Sequence, residues 1–234
     1  MTIAFVAGAT GFVGKALVQA LRDCGVGVVA HVRPDSKRLG HWQQHFAAAG
    51  ATVDTAPWQP LDLAAALRNQ GTTHVFCCIG TTAARKRGSS APASESYEAV
   101  DYGLTRMLVE AALAAGGVQR FVYLSSAGAG PEAAGAYLQA RWRAEEAVRG
   151  GGLPYTIARP SFIVGDRDDD RPFERWGATL ADAALIGAGL LGATKLRDRY
   201  RSTDDRTLAA ALVRVGFDAG TVNETVTSES LRGA

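Results

Sequence analysis

Residues 3–14 read Ile3-Ala4-Phe5-Val6-Ala7-Gly8-Ala9-Thr10-Gly11-Phe12-Val13-Gly14, a short apolar run followed by three spaced glycines. Apolar residues in unbroken succession, rather than in alternation, predict a strand buried on both faces of a parallel sheet. Beyond them Val13, Leu17, Val18, Leu21 and Cys24 recur at helical spacing, and Gly25 supplies a stop. A glycine-rich turn between a buried strand and a helix points to a dinucleotide-binding loop. Gly8 permits the tight turn, Gly11 lets backbone approach a pyrophosphate, and Gly14 brings helix close to strand. Thr10, Phe12 and Val13 complete the loop, and the helix N-terminus offers N–H groups and a positive dipole end to phosphates. The competing reading is an ordinary βα turn that is merely rich in glycine.

Outward from this stretch, strand-like and helix-like segments alternate. Strands are expected at residues 3–9, 27–33, 51–56, 74–80, 121–125 and 155–159, the last stopped by Pro160. Helices are expected at 39–49, at 63–69 with Asp62 as cap, and at 137–149. Leu104, Met107, Leu108, Ala111 and Ala115 form one further helical face. The pattern predicts an α/β fold, a doubly wound parallel sheet of Rossmann type, with ligands at the carboxyl ends of the strands. Residues 81–96 read as a mobile loop. Past Gly165 the alternation fades into a helical 173–194, a basic loop, a helix near 205–215 and a strand at 222–227. The expectation is a single NAD(P)-binding domain over residues 1–234, with 166–234 as a less regular C-terminal substrate or interface region.

Among 234 residues, 47% are apolar and the formal net charge is only +2. That balance supports a sizeable core and gives no electrostatic footprint for nucleic acid. The three cysteines, Cys24, Cys77 and Cys78, fit a reducing, cytoplasmic compartment. Residues 3–6 are too short and lack the basic flank of a signal peptide. Residues 177–194 are apolar with one charge, Asp182, and read as a buried or interface helix rather than a bilayer span. A homodimer and a protein partner both fit such a surface. The acidic residues 166–170 are interleaved with Arg167 and followed by Arg171, as in a solvated loop. Arg85, Lys86 and Arg87 read as a loop tip or a lid. His31, His41, His45 and His74 lack metal spacing; His74 reads as a strand-edge residue and the others as surface or adenosine-side residues.

The second strand should end near an adenosine ribose, where an acidic residue selects NAD(H). Here stand Arg33, Ser36, Lys37 and Arg38, cationic groups that favour a 2′-phosphate and hence NADP(H) over NAD(H). Asp35 works against this, and a solvated basic loop is the alternative. Ser125 and Ser126 end the fifth strand, and Tyr137 and Arg141 share a helical face at i and i+4. A serine that polarises a carbonyl, a tyrosine that passes a proton to the developing alkoxide, and a cation beside it suit hydride transfer. Tyr137 as a buried core residue is the competing reading.

The glycine loop, Val122-Tyr123-Leu124-Ser125-Ser126, Tyr137-x-x-x-Arg141 and Ala158-Arg159-Pro160-Ser161 together resemble the extended and atypical short-chain dehydrogenase/reductases. Residues 76–82, with Tyr137-Leu138-Gln139, are most similar to the Tat-interacting-protein branch. The resemblance covers residues 3–165 well and the rest loosely. It implies that Ile79, Gly80 and Thr81 line the adenosine and ribose region, and that Pro160, Ser161 and Phe162 pack beside the nicotinamide. It implies Ser126 as the catalytic serine, with Ser125 as the fallback. Three departures stand out. Arg141 replaces the family's lysine, Asp101 stands where many members have an asparagine, and Ala56-Pro57-Trp58 replaces a short acidic motif. Trp58 fits either adenine contact or packing. The implied activity is NADP(H)-dependent hydride transfer on a small carbonyl or alcohol. The alternatives are a non-catalytic NADP(H)-sensing regulatory or interaction protein and, more weakly, an epimerase or dehydratase.

Overall fold

The computed structural model describes residues 1–80, 96–161, 163–164 and 203–233. Strands β1 (Ile3–Ala7), β2 (Gly27–His31), β3 (Thr52–Asp54), β4 (His74–Cys77), β5 (Arg120–Leu124) and β6 (Tyr155–Arg159) run parallel. Two short strands, β7 (Ile163–Val164) and β8 (Thr203–Asp204), pair apart from the main sheet. The last strand, β9 (Glu224–Thr227), joins β6 in parallel and completes seven strands in the order β3-β2-β1-β4-β5-β6-β9. The doubly wound parallel sheet expected from the alternation is therefore present. Its order reverses between β1 and β4, which is where such sheets open a crevice at their carboxyl ends.

The helices are α1 (Phe12–Asp23), α2 (Leu39–Ala48), α3 (Pro60–Asn69), α4 (Thr105–Ala115), α5 (Ala136–Gly150), α6 (Asp205–Phe217) and α7 (Ser228–Arg232). A π-helical segment, Glu98–Leu104, leads directly into α4. On one face, Leu17 and Leu21 of α1 and Leu208 and Leu212 of α6 pack over Val6, Phe76 and Val122. On the other, Leu63 and Leu67 of α3, Leu108 and Ala112 of α4, and Ala144 and Val148 of α5 pack over Phe5, Val75 and Phe121. Strands β1, β2, β4, β5 and β6 thus bury both faces, which explains the unbroken apolar runs. Among the described residues, no helix is long and apolar enough to cross a membrane.

Strand ends differ from the sequence expectation in a consistent direction. β1, β2 and β4 stop at Ala7, His31 and Cys77, so residues 8–9, 32–33 and 78–80 leave the sheet as loops at its carboxyl edge. Asp62 does not cap α3. Gln59 holds that position and Pro60, with its pre-set φ, begins the helix, leaving Asp62 in the first turn where the dipole favours it. His31 is not a surface residue. It is buried beneath Trp58, its Nε2 lies 2.9 Å from the Ala56 carbonyl, and burial lowers its pKa. Trp58 packs edge-on against that ring at 5.0 Å. Residues 81–95, 165–202 and Phe162 lie outside the described residues, and with them Thr81, the Arg85–Arg87 tip, the acidic cluster and the apolar 177–194 segment.

His74 opens β4, half-buried against Phe217 at 4.5 Å and paired in register with Arg120. Burial, then the charge of Arg120, depress its pKa from 6.5 to about 4. The unfolded chain therefore takes up this proton at a higher pH than the folded one. The stability associated with neutral His74 is complete above the unfolded pKa and is lost as pH falls towards the folded value. His31 acts in the same sense. Replacing His74 with Gln should make the melting temperature less sensitive to acidification between about pH 7 and about pH 5. An identical acid-induced drop in the variant would show that His74 does not titrate this way.

Candidate active site at the carboxyl edge

The glycine loop connects β1 to α1 at the point where the strand order reverses. Gly8 has φ +80°, and a Cβ there would stand 2.6 Å from the Cys78 carbonyl oxygen. Any side chain would therefore drive the ends of β1 and β4 apart. A Cβ on Gly14 would overlap the Gly8 carbonyl, so α1 can approach the strand only without one. Gly11 is exposed at the N-cap of α1, with no side-chain cap and no acidic residue in the first turn. Its amide turns back to Gly8 O at 2.9 Å. The result is a backbone cradle with a positive helix end and no acidic residue in the first turn, which fits a pyrophosphate. Thr10 and Phe12 are half-buried at its rim, and Val13 is buried beneath it.

Arg33, Ser36 and Lys37 follow β2 on the same edge. The Arg33 side chain is 62% exposed, with Asp35 3.8 Å away. That separation leaves a solvent-screened ion pair and a guanidinium that a stronger anion can compete for. Ser36 donates its amide to the Arg33 carbonyl, closing the loop.

The other half of the site is built on α5. Arg141 is buried, and its guanidinium is engaged from several sides. Its Nη1 donates at 3.0 Å to Ile79 O, to Leu124 O and to the Tyr123 hydroxyl. Its Nε lies 3.3 Å from both the Tyr137 hydroxyl and Asp101 Oδ1. The π-helical segment carries Asp101 inward to this position, fully buried. Burial opposes the Arg141 charge, but Tyr123, Tyr137 and Asp101 more than offset it, so the pKa lies above its ordinary value. Burial also pushes the Tyr123 hydroxyl up. Arg141 thus remains a cation that ties the ends of β4 and β5 together. Gly80 makes room for it, since a Cβ there would overlap Arg141 Nη2.

Tyr137 is half-buried at the start of α5, edge-on to Tyr97 at 5.3 Å. The two serines have separate environments. Ser125 is buried and donates to Glu145 Oε1 at 2.5 Å, whereas Ser126 is half-buried and its hydroxyl has only a weak 3.3 Å bond to Ala127 O. Pro160 is buried, and its carbonyl accepts from Ala127 N at 2.8 Å. Ser161 is half-buried with Arg232 of α7 3.4 Å away. Sequence reading missed Glu145. Its spacing, four residues after Arg141 and eight after Tyr137, was the available signal. Among the described residues, no group of three or more potential metal ligands assembles. A groove of about 480 Å³ on α4 and α5, lined by Tyr102, Arg106, Leu113 and Arg143 among others, includes none of these site residues.

Gly80→Ala is expected to force the guanidinium aside and destabilise the fold by about 1–3 kcal/mol, as overpacking does. Urea denaturation checks this, and unchanged stability would mean that Arg141 is not held against Gly80.

The NAD(P)H-binding family matches residues 8–182. Protein TIC 62 of Oryza sativa subsp. japonica is 32% identical over 181 residues, 71% of this chain and 36% of that protein. The chain therefore spans little more than a third of that relative. Protein FMP52 of Debaryomyces hansenii is 28% identical, covering 74% of each. A solved structure described as an NAD-dependent epimerase/dehydratase from Bacillus halodurans superposes with a TM-score of 0.68 at 18% identity, covering 99% of both chains. The superposition shows that the two chains share a fold. With the glycine cradle at the reversal of the sheet and the match across residues 8–182, the chain belongs to the NAD(P)H-binding family.

Proposed function

We propose that the protein is an NADP(H)-dependent oxidoreductase that transfers hydride to or from a small carbonyl or alcohol. The observation that carries this reading is the Tyr137 hydroxyl 3.3 Å from the Arg141 Nε, on the same sheet edge as the glycine cradle. A bound nicotinamide supplies the hydride. In the reducing direction Ser126 donates a hydrogen bond to the carbonyl oxygen, and Tyr137 gives that oxygen its proton as it becomes an alkoxide. Arg141 accepts no proton; it holds the tyrosine oxygen and fixes the strand ends on either side. Ser125 serves Glu145 instead of the substrate. Gly8, Gly11, Gly14 and the first turn of α1 take the pyrophosphate. Arg33, with Ser36 and Lys37, takes a 2′-phosphate, and Ile79, Gly80, Pro160 and Ser161 flank the two riboses and the nicotinamide. A reducing compartment such as the cytoplasm fits three unpaired thiols. The relatives' names place them in mitochondria and chloroplasts.

A second reading draws on one observation. Arg141 is engaged by two carbonyls, two tyrosine hydroxyls and Asp101, an arrangement that also suits a rigid cofactor-holding protein without turnover. Calorimetric titration and a carbonyl panel separate the two. The oxidoreductase reading expects NADPH to bind about tenfold or more tightly than NADH, with that preference shrinking in Arg33→Ala. It expects Tyr137→Phe to retain NADPH binding and lose turnover. Tight binding with no turnover on any carbonyl would favour the second reading. Equal or better binding of NADH would remove the role given to Arg33.

A further inference from the structure

Along α5, Tyr137, Arg141, Glu145 and Arg149 follow one another at intervals of four, so they share one stripe of the helix. Glu145 is completely buried, and its carboxylate is held from three directions. Ser125 donates to Oε1 at 2.5 Å, and Arg159 grips both oxygens, at 2.8 Å and 2.6 Å. Arg149 reaches Oε2 at 2.9 Å and also Thr225 of β9 at 3.1 Å. Ser125 follows β5, and Arg159 ends β6. Glu145 therefore joins the carboxyl ends of two neighbouring strands to the helix that carries Tyr137.

The backbone between those strand ends is pinned on both sides of Ser126. Ser125 N donates to Ala158 O, and Ala127 N donates to Pro160 O, each at 2.8 Å. Ser126 is thus the residue held between two anchored neighbours, one of which is fixed a second time through its side chain. A carboxylate that bridges Ser125 and Arg159 sets where Ser126 stands relative to Tyr137, and sets the position of the β6 end that leads to Pro160.

We propose that Glu145 is the positioning residue of this site, acting through Ser125 on Ser126 and through Arg159 on the segment beginning at Pro160. The role in turnover rests on the oxidoreductase reading; the role in fixing the loop does not. Glu145 touches neither hydride donor nor acceptor, so its loss should lower kcat by a larger factor than it weakens cofactor binding or raises KM. A displacement of about 1 Å at a reacting group costs on the order of a hundredfold in rate.

The test uses Ser125→Ala, which deletes one oxygen and leaves the Glu145–Arg159 pair in place, together with Glu145→Gln and the double variant. For each, kcat, KM, the NADPH dissociation constant, the melting temperature and amide hydrogen exchange are measured. The expected result is a fall in kcat of about tenfold or more, with smaller changes in KM and NADPH affinity, and faster exchange at the Ser125 and Ala127 amides but not in the glycine loop. The double variant should be no worse than Glu145→Gln, because both changes break one linkage. Unchanged kcat and exchange in folded variants would overturn the proposal. So would a fall in kcat without faster exchange, which would make Ser125 a group acting on the substrate itself. If the wild-type protein turns over no carbonyl, the oxidoreductase reading fails by itself. Exchange at the two amides then decides the role of Glu145, and unchanged exchange in Ser125→Ala overturns it.

Discussion

No side chain can stand at position 8. The carbonyl of Cys78 occupies the place a Cβ would take, and the carbonyl of Gly8 occupies the place a Cβ on Gly14 would take. These contacts set how near β1, β4 and the start of α1 come to one another. Because the strand order reverses between β1 and β4, that spacing also sets the width of the crevice at the carboxyl edge. The loop after β2, the π-helical segment that delivers Asp101 and the start of α5 are arranged around it. The apolar packing of α1 and α6 on one face and of α3, α4 and α5 on the other holds this arrangement without specifying it.

Specification at the far side of the crevice comes from buried charge. Glu145, Arg141 and Asp101 are buried, while Arg159 and Arg149, which hold Glu145, keep 24% and 27% of their side chains exposed. Such groups are poor instruments of net stability. Replacing a whole buried ion pair with apolar residues is often neutral or better, whereas removing one partner costs about 3–5 kcal/mol. What directed bonds supply is geometry. A leucine at position 145 would tolerate a sliding helix, but a carboxylate gripped by Ser125 after β5 and by Arg159 of β6 does not. The polar stripe of α5 therefore reads as a device for registering the helix against the strand ends, and Tyr137 rides on the same helix.

The alternation of buried strands and amphipathic helices was legible because periodicity is a local property of sequence. Leu17, Leu21, Leu108 and Ala111 lie inside as their spacing required. Strand ends were read too long at Ala9, Arg33 and Gly80, since apolar Ala9, Val32 and Ile79 lie past the last residues of β1, β2 and β4. Tyr137 and Arg141 were found by their spacing. The burial of Arg141 was not, because it depends on Gly80, Tyr123 and Asp101, which are distant in sequence. Glu145 shares the four-residue spacing of Tyr137 and Arg141, but only the meeting of Ser125 and Arg159 distinguishes it. Asp62 shows the reverse error, a good capping residue displaced by a proline two positions earlier.

Arginine at position 141 changes what the site asks of its neighbours. A lysine ammonium is a compact point charge, whereas a guanidinium is a planar fork that can reach acceptors on two strands at once. Here it reaches Ile79 O, Leu124 O and the Tyr123 hydroxyl through one nitrogen and Tyr137 through another. The fork holds the strand ends more firmly than an ammonium would. It remains protonated, however, and so cannot hand a proton onward. Any proton that Tyr137 gives to a substrate must be restored by another route, and Tyr137, half-buried, is the member of this set open to water. On the proposed oxidoreductase reading, turnover would depend on solvent access at Tyr137, whereas holding a cofactor makes no demand on proton traffic through Arg141. On that reading one geometry serves binding in all circumstances and catalysis only where water reaches the tyrosine.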